Sequence, residues 1–200
     1  MQVMFGNKAK KRFIENSDLE EQMHHVLDYS GHINGQGRFP VHHMHFGNVG
    51  AGFASCEIIA VYNVIKDLGG HVPLSELIYY AESSGYMLAG GFFGTKIYKI
   101  GNILEHFDIK YNKLSPRVFL KEAADNSFDD ETIFIATMKN RREMPISALH
   151  TFELIRRRGK WYVYNRFNNS ESAGIYDELS AILKNGSYTG AWLTIYEIIK

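Results

Sequence analysis

Cys56 is the only cysteine in the 200-residue chain, and it stands in GFASCEIIAVYNVIKDLGG, Gly52 to Gly70, where a glycine-rich loop runs into a helix. The first turn of a helix presents unpaired backbone N–H groups, and its dipole favours negative charge. Both effects stabilise a thiolate, the form of cysteine that attacks carbonyl carbon. Such a nucleophile needs a base. His150 precedes the β-rich run Thr151-Phe152-Glu153-Leu154-Ile155, where a strand-end imidazole can project over a sheet toward a packed helix. The base needs an orienting group. Asn165 ends the run Trp161-Tyr162-Val163-Tyr164, and an amide there can accept from the ring N–H and hold one tautomer. Each residue also has a plain structural reading: a small buried cysteine, an ordinary strand-end histidine and a turn asparagine.

The elements that must bring the three together read as follows. Ser17-Asp18-Leu19-Glu20 has the form of a capping box, with Leu19, Met23, Val26 and Leu27 at helical spacing, so residues 1–16 read as an N-terminal extension and 17–200 as one domain. Residues 31–54 show no period and read as a long loop. Cys56 to Leu68 is apolar around most of its circumference and reads as a central buried helix. Further helices are predicted from Pro73 to about Ser83 and from Thr95 to about Phe107. The second half reads as a strand at 109–114, a helix opened by Ser115-Pro116, a strand at 132–138, and a hairpin turning at Arg158-Gly159. A helix at 176–184 and a last strand at 191–199 complete it. Helices lead and antiparallel strands follow, which is an α+β pattern and not alternating βαβ.

Composition narrows the function classes. Lys+Arg and Asp+Glu are both 22, and neither half is strongly basic, so the electrostatic footprint of a nucleic-acid binder is missing. No stretch approaches the ~18 apolar residues of a membrane span. A single cysteine forms no internal disulfide, and no leader-like run opens the sequence, so a cytoplasmic location is expected. No cofactor motif is read. His42, His43 and His45 invite a metal reading, but no second cluster at ligand spacing accompanies them and no metal is assigned.

Taken together, Ala54-Ser55-Cys56 running into Glu57-Ile58-Ile59-Ala60, then His150-Thr151-Phe152-Glu153-Leu154, then Val163-Tyr164-Asn165, resemble the papain-like cysteine peptidase superfamily and, within it, the compact peptidase C39-like group. The resemblance spans roughly residues 47–167. It implies a helical N-terminal half packed on a C-terminal antiparallel sheet. It implies a peptide or amide substrate attacked by Cys56, with His150 as base and then acid, and Asn165 steering the ring. The oxyanion would take the Cys56 backbone N–H and a side-chain amide. The family's usual glutamine position holds glycine here; Asn48 is the nearest amide and Gln36 lies farther off. Glu57 follows the cysteine directly, where its charge opposes the thiolate unless it points away. Gly90 and Gly91 match a glycine segment that binds substrate backbone, or form a plain helix–helix connection. The same nucleophile would serve an acyltransferase, and the same fold without activity would serve as a binding module.

Overall fold

A computed structural model describes residues 2–141 and 149–200. The chain opens with α1 (Gln2–Glu20). The segment read as an extension is therefore helical, and Ser17 lies in its last turn, its hydroxyl donating to the Phe13 carbonyl at 2.8 Å instead of capping a start. Two short strands follow the loop, β1 (His45–Phe46) and β2 (Val49–Gly50), then a single turn α2 (Ala51–Ala54). α3 (Cys56–Asp67) is the central helix, every residue from Cys56 to Ile65 being buried. α4 (Leu74–Ser83) packs on α1. Its first amides lack a local cap, and Glu20 of α1 supplies one: the carboxylate accepts from the backbone N–H of Leu74 and of Ser75, which neutralises the helix's positive end. Arg12 of α1 pairs with Glu82 of α4.

α5 (Ile100–His106) begins later than expected, because a 3-10 turn at Ile97–Lys99 precedes it and Thr95 is buried elsewhere. β3 (Lys110–Leu114) and α6 (Pro116–Ala124) follow, the latter capped by the Ser115 hydroxyl on the Val118 N–H. Then come β4 (Thr132–Lys139), β5 (Leu149–Arg157), β6 (Lys160–Tyr164) and β7 (Gly174–Tyr176). α7 (Leu179–Ile182) is one turn long, shorter than the helix expected at 176–184. A small β8 (Lys184–Asn185)–β9 (Tyr188–Thr189) hairpin leads to β10 (Ala191–Ile199). The main sheet is antiparallel throughout, in the order β3-β10-β4-β5-β6-β7. The architecture is α+β.

Alternation along the strands divides the core in two. Ile133, Ile135 and Ile155 face α3, with Ile58, Ile59 and Val61. Phe134, Ala136, Phe152 and Leu154 face the other way, against Phe119 of α6 and Leu179 and Ile182 of α7. Thr151 and Glu153, at odd positions on β5, lie on the α3 side. The loop before α3 is pinned from below: Asn63 of α3 exchanges two hydrogen bonds with the backbone of Ile33, at 2.9 and 3.0 Å.

Candidate active site

The hairpin turn falls where the sequence put it, with Arg157 paired to Lys160 and Glu153 to Tyr164. β6 then ends. Asn165 has φ +58, a left-handed backbone that asparagine tolerates better than most residues, and the chain peels away from β5. Beside the first residues of β5 stand the groups named from the sequence: Cys56 meets the strand from the α3 side, whereas His150, at an even position with Phe152, belongs to the opposite face.

The Cys56 sulfur lies at the start of α3, buried, and receives the backbone N–H of Thr151. Thr151 stands opposite Thr137 on β4, their hydroxyls 2.8 Å apart. His150, the preceding residue, is also buried, and its Nε2 lies 2.6 Å from the backbone carbonyl of Asn165. A carbonyl only accepts, so Nε2 carries the proton and Nδ1 keeps the lone pair. The expected contact of the ring with the Asn165 side-chain amide is not made; the backbone carbonyl of that residue takes its place. Register explains the change: extended pairing would set Asn165 on the His150 face, but positive φ turns its side chain toward the loop.

There the Asn165 amide meets Gln36. Its Oδ1 accepts from the Gln36 backbone N–H at 3.0 Å, and its Nδ2 donates to Gln36 Oε1 at 2.9 Å. Gln36 Nε2 in turn donates to the Gly52 carbonyl at 3.1 Å, one helical turn before Cys56. Among the described residues the second N–H of that amide has no acceptor. Gln36 is therefore the amide that folding carries into the buried network, although it lies 20 residues from the cysteine. Asn48, the amide expected there, is exposed and sits against Gly90, its backbone N–H donating to the Gly90 carbonyl at 2.8 Å. Gly90 and Gly91 form a turn packed on β1. Gly91 has φ +101, and a side chain there would strike the Phe46 carbonyl, so only glycine fits.

The electrostatics differ from the expectation at the sulfur. Glu57 does not point away: the thiol lies 3.4 Å from its Oε2. Burial first, and then the Glu57 charge, push the Cys56 thiol well above its ordinary value, with the Thr151 N–H opposing them. The helix N-terminus does not prevail, because a neighbouring carboxylate and lost hydration outweigh it. Burial raises Glu57 itself to about 7, against a smaller lowering by the thiol and the Thr95 N–H. Burial, with Arg166 assisting, lowers His150 to about 4. At rest near neutral pH the thiol and the imidazole are both neutral.

Glu57 makes a prediction with a definite sign. Its folded value lies above the model value of 4.5, so the folded state binds more protons and stability falls as pH rises through that interval. Above about pH 7 the cost is on the order of 3 kcal/mol. Glu57→Gln is expected to raise the melting temperature at about pH 8 and to change it little at about pH 4, as read by thermal unfolding. Removing the charge should also speed alkylation of Cys56 by iodoacetamide on the order of tenfold at neutral pH.

The other histidines named from the sequence remain apart. His42 and His43 are exposed, with ring centroids 3.9 Å apart, and His45 pairs with Glu15 at 3.3 Å. Among the described residues no helix is long and apolar enough to cross a membrane. No family model matches the sequence, and no curated protein matches it.

Proposed function

We propose that the chain is a papain-like thiol hydrolase of peptide or amide bonds. The observation that supports this reading is the juxtaposition on β5 of two neighbours: Thr151, whose backbone N–H meets the Cys56 sulfur, and His150, whose ring is bound to Asn165, itself paired with Gln36. Cys56 attacks the substrate carbonyl. Nδ1 of His150, the ring's unprotonated nitrogen, takes the thiol proton after a rotation of the side chain at the strand end, and later returns it to the leaving amine. The Cys56 backbone N–H and the spare N–H of Gln36 stabilise the oxyanion. Glu57 holds the thiol proton in the resting state and restrains reactivity until substrate excludes water and shifts the balance.

The rim suggests the substrate's character. Phe53 on α2 is 71 % exposed, and Phe92 and Phe93 on the adjoining loop are 55 % and 74 % exposed. They flank the approach of Gly94 to the Ala54 carbonyl. Aromatic surface on the loops that adjoin the start of α3 favours apolar side chains in the substrate.

Incubation with a mixture of internally quenched peptides tests the proposal. Cleavage that is lost on alkylation of Cys56 supports it, and Gln36→Ala should then lower kcat by roughly a hundredfold to a thousandfold. Product amides that accumulate when amines are added would make the enzyme an acyltransferase. A second reading, an inactive binding module, is favoured by one observation, the Glu57 carboxylate on the thiol. Peptide binding without turnover, unchanged in Cys56→Ser, would establish it.

A further inference from the structure

A second cluster lies under the same loop, on the α3 face of the sheet. His32 Nε2 is 3.1 Å from Asp67 Oδ2, at the end of α3, and 3.8 Å from Glu153 Oε2, on β5. One ligand atom from each of the three lies within 4.8 Å of the others. Glu153 is 0 % exposed. Both its oxygens, and Nε2 of His32, lack a hydrogen bond among the described residues. A buried carboxylate in that condition is costly unless something positive meets it. Arg157, the cation that acts on it, is engaged by Glu131 at 2.7 and 2.8 Å.

The surroundings fix which imidazole nitrogen is bare. Asp28 Oδ1 accepts from the backbone N–H of Ser30 and of His32, and from the Ser30 hydroxyl at 2.6 Å. The hydroxyl's one proton is thereby committed. His32 Nδ1, 2.7 Å from the same oxygen, must donate to it. Nε2 is then the nitrogen aimed at the two carboxylates, the place where a metal ion takes the position of a ring proton. The ring is held in place by Tyr164, stacked at 4.1 Å. An outer hydrogen bond on one nitrogen, with the other aimed at carboxylates, is how metal-binding histidines are oriented.

We propose that His32 Nε2, Asp67 and Glu153 ligate a divalent first-row transition cation, of which Zn2+ is the type. With bonds of about 2.0–2.2 Å, neighbouring ligands of a tetrahedral ion stand roughly 3.4 Å apart, close to the separations seen. One imidazole and two carboxylates neutralise a 2+ charge, and without sulfur the set does not select Cu(I). Asp67, half-buried, is the side open to exchange. The ion would tie the loop to α3 and β5, four residues before Gln36 and three after His150, and would so brace the candidate site.

The test strips the full chain with a chelator and titrates Zn2+ by calorimetry. One ion per chain is expected, with a higher melting temperature. Glu153→Gln, nearly isosteric, and His32→Gln should each weaken binding by more than about a hundredfold, while Cys56→Ser leaves it unchanged. Co2+ should give d–d bands without a thiolate charge-transfer band, in the wild type and equally in the triple variant His42→Ala, His43→Ala, His45→Ala. That spectrum decides the matter should the ligand variants fail to fold. No Zn2+ binding, binding indifferent to Glu153→Gln, or a Co2+ spectrum lost in the triple variant would overturn the assignment.

Discussion

Cys56→Ala is expected to lower turnover of a cleaved peptide by roughly ten-thousandfold or more, with substrate affinity largely kept. The sulfur is the atom that forms the acyl bond in this account, and groups acting as a unit with a nucleophile cannot replace it. The fold should survive. The side chain removes one small atom from a buried helix start, and the residues that order the candidate site hold one another independently: Asn165 with Gln36, Gln36 with Gly52, His150 with the Asn165 carbonyl. Paired measurements of kcat and of melting temperature check this. A large loss of activity with a small change in stability is the expected result, whereas parallel losses would mean that the sulfur only fills space.

The second large effect belongs to His150. His150→Gln should lower kcat by roughly a hundredfold to ten-thousandfold, the range of general acid–base catalysis, with little change in KM. It should also alter the response to acid. The folded ring titrates at about 4, below its model value of 6.5, so the unfolded state takes up protons first and stability is lost as pH falls through that interval. The variant lacks this contribution and is expected to resist unfolding at about pH 4 to 5 better than the wild type. A structural histidine would share the stability signature but would leave kcat unmoved. Glu57 provides the contrast. If Glu57→Gln lowers kcat as strongly as His150→Gln does, the carboxylate, not the imidazole, takes the thiol proton.

Much of the scaffold was legible because it follows local rules. The run from Ile58 to Ile65 is apolar around the helix, which only a buried central helix can satisfy. Arg158-Gly159 between two β-rich runs set the hairpin register, and the observed Arg157–Lys160 pairing follows from it. Ser115-Pro116 marked a helix start that the structure caps as expected. The extent of α1 was not legible, since its stability lies in tertiary contacts, Arg12 with Glu82 and Asn16 with the backbone of His45. At the candidate site, Cys56, His150 and Asn165 could be named as candidates from the sequence, but their contacts could not. A left-handed turn at Asn165 exchanges its side chain for its carbonyl, and no spacing rule anticipates that. Gln36 escaped for the same reason: a residue remote in sequence is recruited by a reciprocal amide pair that only the folded loop creates. Glu153 did leave a signal, an acid at an α3-facing position within Phe152-Glu153-Leu154-Ile155. Its partners His32 and Asp67 lie on other elements and left none.

The central claim is that the Cys56 sulfur attacks carbonyl carbon with its proton drawn to His150. It is tested most directly by mixing the protein with N-acetylphenylalanine p-nitrophenyl ester, quenching in acid at short times and reading intact mass with peptide mapping. The account predicts a gain of one acyl group on Cys56, absent in Cys56→Ser and formed far more slowly in His150→Gln. No adduct on Cys56, or one forming at the same rate without the imidazole, would contradict it.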